Sequence, residues 1–221
     1  MKNFPDKIPV FPLSGVIYFP KTNLPLNIFE ERYVNLVNDV FNKDKLMGMI
    51  QSKRKEGDVF NVGCLGQISD FQKLKDGKIL INLTGITRFE ILTEIKSSKL
   101  YREFKVDYSK FNLDLNPISQ KINTEVLMKK AQTFLNKNGL LLNWNEFDKL
   151  KETQKVDTLA MIAPITNEEK QKLLESVSFE EKIKSLEDIA CLIASVNLAS
   201  NSVSFDAYNG LVVPPFSAKV L

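Results

Sequence analysis

Leu24-Pro25-Leu26-Asn27-Ile28-Phe29-Glu30-Glu31-Arg32-Tyr33-Val34-Asn35-Leu36-Val37 changes its period in mid-run. Through Pro25 the apolar residues are punctuated by proline, which has no N–H to give a ladder and suits a strand start or an edge. From Tyr33 the apolar residues recur at Leu36, Val37, Val40 and Phe41, the i, i+3, i+4, i+7 and i+8 positions of one helical face. Glu30 and Glu31 fall in the first turn, where negative charge suits the positive end of the helix dipole. The spacing predicts a helix over Glu30 to Asn42, set among strands.

The surroundings read as β. Ile8-Pro9-Val10-Phe11-Pro12-Leu13 has the same proline-punctuated style and is predicted to be an edge or strand start. Val16 to Phe19 and Leu46 to Ile50 are short strand candidates, and Val59 to Phe71 is apolar with Gly63 and Gly66 inside it, a sign of a bulge or a tight barrel corner. Asp76-Gly77 between apolar runs is a hairpin signal, with Ile79 to Leu83 returning. Beyond Gly85, Thr87, Phe89, Ile91, Thr93 and Ile95 alternate with Arg88, Glu90 and Glu94, and Phe104, Val106 and Tyr108 alternate again. Several short strands with glycine corners indicate a small barrel or sandwich.

The second half is helical by pattern. Pro117 opens a helix carrying Ile118, Ile122, Val126, Ala131, Phe134 and Leu135, stopped at Gly139. Trp144, Phe147 and Leu150 suggest a short helix, and Val156 to Ala163 another that Pro164 ends. Thr166-x-x-Glu169 and Ser178-x-x-Glu181 are capping boxes, each opening a helix. The last helix carries Ile183, Leu186, Ala190 and Ile193, and from Ser202 the chain ends in an extended tail containing Leu211-Val212-Val213-Pro214-Pro215-Phe216. The fold class is therefore α+β, divided into a strand half over 1–112, a helical half over 113–201 and a tail over 202–221.

Composition excludes much chemistry. With no His among 221 residues, His-based nucleophile pairs, general bases and metal ligands are absent. Cys64 and Cys191 lie far apart without CxxC spacing, so a Cys/His zinc site is excluded and both read as small buried filler. There is no G-x-x-x-x-G-K-[ST] phosphate loop, no G-x-G-x-x-G and no G-x-S-x-G elbow. The paired carboxylates Glu30-Glu31, Glu168-Glu169, Glu180-Glu181 and Glu187-Asp188 have no accompanying base or ligand, and read as dipole complements, caps or a solvated face. No catalytic, cofactor or metal site is expected. No membrane-length apolar run or signal-type leader is seen, which gives the expectation of a cytoplasmic protein. Net charge is only +3, but residues 1–110 hold 18 basic against 13 acidic residues and all four Arg.

Few residues are left as binding candidates. Phe29, Arg32 and Tyr33 could form a groove edge, with a structural pairing of Arg32 as the alternative. Arg88 is either a ligand contact or half of a cross-strand ion pair. Val213 and Phe216 belong to a segment that docks on a partner or packs back on its own domain. Lys53-Arg54-Lys55 is a solvated loop or a contact for phosphate or an acidic partner.

Pro9-Val10-Phe11-Pro12-Leu13, Phe19-Pro20 and Leu24 to Tyr33 resemble the opening of the Lon protease N-terminal domain family. Val62-Gly63-Cys64-Leu65-Gly66, Gly85-Ile86-Thr87-Arg88-Phe89, Asp157-Thr158-Leu159, Ala163-Pro164-Ile165 and Glu169 to Glu175 follow in the family's order, so that the likeness spans about residues 5–195. The chain looks most similar to stand-alone bacterial members without ATPase and peptidase domains. The resemblance implies a PUA-like β-barrel followed by an α-helical bundle, and a role in recognising protein substrates. It implies no catalytic residues. The expected function is a non-enzymatic module that binds unfolded polypeptides or a partner protein, with a protease system among the candidate partners, through apolar burial and strand addition at an open edge. RNA binding, suggested by PUA-like barrels elsewhere and the basic first half, is the alternative.

Overall fold

The computed structural model describes residues 4–53, 57–115, 123–137, 143–163 and 165–195. Its strands are β1 (Lys7–Leu13), β2 (Asn23–Ile28), β3 (Leu46–Ser52), β4 (Val59–Lys73), β5 (Ile79–Ile95) and β6 (Arg102–Asp107). Helix α1 (Glu31–Phe41) lies between β2 and β3, and a 3-10 turn (Ser109–Leu115) follows β6. Helices α2 (Glu125–Lys137), α3 (Trp144–Phe147), α4 (Glu152–Ile162), α5 (Asn167–Glu175) and α6 (Phe179–Ser195) complete an α+β molecule.

The sheet runs β2-β5-β4-β3-β1-β6, and β6 also pairs with β5. That second pairing closes β5, β4, β3, β1 and β6 into a ring, and leaves β2 outside it on the first half of β5. Each ring strand contributes to one apolar cluster: Ile8 and Val10, Ile50, Leu65, Phe89, and Phe104 with Val106. That cluster is the ring's interior. Alternate residues point outward, where Phe11, Met47 and Met49 meet the Tyr33, Leu36, Val37 and Val40 face of α1. Both faces of β3 are covered, hence its unbroken apolar run.

Three expectations for the first half need correcting. β1 is not an edge of the sheet, for it lies between β3 and β6. It pairs with β6 over Lys7–Val10 and with β3 over Val10–Leu13, so Pro9 and Pro12 each sit where the strand has one partner. The missing N–H then costs no ladder bond. The run 79–95 is one strand rather than two, since it pairs with β4 on both sides of Gly85, where a Cβ would lie 2.1 Å from the Phe19 carbonyl oxygen. Lastly, Val16 to Phe19 forms no strand. Its side chains divide between two cores instead: Tyr18 enters the cluster under α1, while Ile17 and Phe19 enter the cluster of the helical half.

The predicted hairpin is present, with Gly77 at φ +88°, a conformation that a side chain would strain. The predicted early helix lies within one residue of its expected ends. Of the two capping boxes, Thr166 and Glu169 make both reciprocal bonds, and Ser178 Oγ accepts from the Glu181 N–H. Pro117, Ile118, Ile122, Gly139, Pro164 and the tail lie outside the described residues.

Candidate functional site

Two places gather the sequence candidates. The first is the corner where β2 runs into α1. β2 hydrogen-bonds to β5 on one side only, so its other edge faces outward. Leu24, Leu26 and Ile28 point into the core, and Pro25 stands in the middle of the free edge, where it withholds a donor and blunts strand addition. Immediately past the strand, Phe29 is 42% exposed. Glu30, the N-cap residue of α1, accepts from Arg32 Nε at 3.0 Å and Nη2 at 2.7 Å. The same guanidinium lies 4.6 Å from the Tyr33 ring centroid. Tyr33 is buried, its ring 4.3 Å from that of Phe11, and burial raises its hydroxyl above the ordinary value. The corner thus presents the exposed Phe29 ring and a guanidinium held by Glu30 and Tyr33.

The second place is the joint between the strand ring and the helices. Arg88 is 5% exposed and points outward from the ring into the helical half. Its Nη2 donates to Asp114 Oδ1 at 2.7 Å and its Nε to Asp114 Oδ2 at 3.0 Å, while Nη1 donates to the carbonyls of Leu174 and Ser176 at 2.8 and 2.6 Å. The expected cross-strand partner is therefore wrong: the carboxylate comes from the 3-10 turn. Nor is Arg88 open to a ligand, since these acceptors occupy its guanidinium and Phe111 lies under it at 4.3 Å.

Sequence reasoning missed the rest of this joint. Lys182 Nζ donates to Asp157 Oδ1 at 2.7 Å and stands 4.0 Å from the Phe19 ring centroid. Burial pushes the Asp157 carboxyl up and the Lys182 ammonium down, and each charge opposes this by stabilising the other. Lys170 Nζ donates to the Gly15 carbonyl at 2.8 Å and approaches that of Met161 at 3.5 Å; burial lowers it to about 8. Gln171 Nε2 donates to Val62 O, Gln51 Nε2 to Asn167 O and Gln154 Nε2 to Lys21 O. The signal was present in Glu169 to Glu175, where Lys170, Gln171 and Leu174 recur at helical spacing, but polar residues on a core-facing stripe have no reading without their acceptors.

These elements span the region matched by the model of the ATP-dependent protease La (LON) substrate-binding domain, residues 7–191. The chain belongs to that family. Among curated Lon proteases, that of Syntrophus aciditrophicus is 27% identical over 198 residues, covering 82% of this chain and 24% of the relative. That of Haemophilus influenzae is 24% identical over 84% of this chain and 24% of its own length. The LON-type chain thus spans about a quarter of the curated relatives it matches. A Lon N-terminal domain protein from Xanthomonas campestris has the same fold at TM-score 0.59 and 19% identity, covering 84% of this chain and 97% of that one. The N-terminal domain of the Mycobacterium avium complex Lon protease matches at TM-score 0.60 and 16% identity, over 84% and 98% of the two chains. The LON match takes in both the β2–α1 corner and the joint. Val213 and Phe216 fall beyond it and outside the described residues.

Proposed function

We propose that this LON-domain chain is a non-enzymatic polypeptide-binding module of the cytoplasm, which engages unfolded segments or a partner protein, in association with a protease system. The observation that carries this reading is the match of residues 7–191 to a domain described by substrate binding. In this reading the closed ring is a PUA-like barrel over 1–112, the helices form a bundle over 113–201, and the tail over 202–221, with Val213 and Phe216, supplies further apolar contacts. The β2–α1 corner suits the role, because Phe29 offers exposed apolar area one residue before the Glu30–Arg32 pair. Apolar side-chain burial is the mode we favour, since Pro25 blunts the free edge of β2.

RNA binding has no specific observation in its favour. Three of the four arginines are paired with carboxylates: Arg32 with Glu30, Arg88 with Asp114 and Arg102 with Glu94. Among the described residues no helix is long and apolar enough to cross a membrane.

The test is fluorescence anisotropy of a labelled, permanently unfolded polypeptide titrated with the protein. Saturable binding that weakens about fivefold in Phe29→Ser, roughly 1 kcal/mol, is the expected result. No binding by the unaltered chain to that polypeptide or to a folded control would overturn the proposal.

A further inference from the structure

The helices meet the ring through groups that are costly to bury. Ile17, Phe19 and Val62 are covered by apolar residues of α4, α5 and α6, including Val156, Leu159, Leu173, Leu174 and Ile183. At that contact lie the guanidinium of Arg88, which donates to the Leu174 and Ser176 carbonyls while paired with Asp114 of the 3-10 turn, the Lys182–Asp157 pair that joins α6 to α4, and the ammonium of Lys170, whose partners among the described residues are the Gly15 and Met161 carbonyls; every side chain of the two pairs is at most 12% exposed. Separating the layers would return these charges to water, which offsets part of the apolar surface exposed in the same step. The ring has no such boundary. Its strands are paired all the way round an apolar interior of Ile8, Val10, Ile50, Leu65, Phe89, Phe104 and Val106.

We infer that α4, α5 and α6 form one cooperative unit that opens from the strand ring before the ring unfolds, with the buried ion pairs setting how readily it opens. Opening uncovers Ile17, Phe19 and Val62, which are at most 1% exposed when the unit is closed. The polar groups act in two senses. Arg88 fixes the seating of α5 through the Leu174 carbonyl and Lys182–Asp157 ties α6 to α4, yet apolar side chains in their place would hold the layers more tightly.

Native-state hydrogen exchange on the full chain tests this, with amides grouped by element. The expected result is that α4, α5 and α6 exchange through one common opening, at least tenfold faster than the central amides of β3, β4 and β5. Arg88→Met, which strands Asp114, is expected to speed exchange in the helices about tenfold or more and the ring amides by no more than the same factor, so that the helices still exchange first. The double substitution Lys182→Met with Asp157→Leu is expected to slow helix exchange, the opposite sign. Equal exchange in helices and ring in the unaltered protein would overturn the inference by itself, even if a variant fails to fold. So would a double variant whose helices exchange as fast as those of Arg88→Met.

Discussion

At the scale of single residues, Arg88 and Lys170 are both buried cations, and their different partners set different consequences. Arg88 has a carboxylate in its fork, so removing it strands the buried carboxylate of Asp114. Arg88→Ala is expected to cost about 3–5 kcal/mol in urea denaturation, and Arg88→Lys to recover only part of that, since an ammonium cannot make the forked contact. Lys170 has carbonyl rather than carboxylate partners among the described residues, and burial lowers it from 10.5 to about 8. Below pH 8 the full cost of keeping it charged is present. As pH climbs from 8 towards 10.5, the unfolded chain holds the proton that the folded chain has released, so folding stability rises. The gain approaches about 1.4 kcal/mol per pH unit and about 3 kcal/mol in all. Tyr18, raised well above its ordinary 10.0 by burial, opposes this only near pH 10. Denaturation midpoints between pH 8 and 9.5 are therefore expected to climb more steeply in the unaltered protein than in Lys170→Met.

Among the elements, α5 is the one whose start is specified most completely. Thr166 Oγ1 accepts from the Glu169 N–H at 3.2 Å and a Glu169 carboxylate oxygen accepts from the Thr166 N–H at 2.8 Å, so two donors at an exposed helix end are satisfied within four residues. Thr166→Ala is expected to lower stability by about 1 kcal/mol in chemical denaturation, and Thr166→Ser to be near neutral. Both the box and the α1 stripe were legible because their partners are close in sequence. The β1 prolines were only half legible. Proline says that a donor is missing, and says nothing of whether the strand exchanges one neighbour for another at Val10.

For the whole molecule, Trp144 offers a convenient report. It is the one tryptophan in the chain, and it packs against the helical cluster 5.6 Å from Phe147. If the helices part from the ring first, its emission is expected to change at a lower urea concentration than the amide protection of β3 and β4. Coincident transitions at every probe would mark a single cooperative unit.

The α+β class, the early helix, the hairpin at Gly77 and the absence of histidine chemistry were all settled by local chemistry: period, proline, glycine and composition act over a few neighbours. The family followed from such segments taken in order. The ring's closure through β5 and β6, the division of Ile17, Tyr18 and Phe19 between two cores, and the burial of Arg88 against Asp114 belong to the tertiary structure. Each depends on groups distant along the chain meeting in space. An arginine on the outer face of a strand is polar by pattern alone, and becomes a buried structural charge only when a helical layer closes over it.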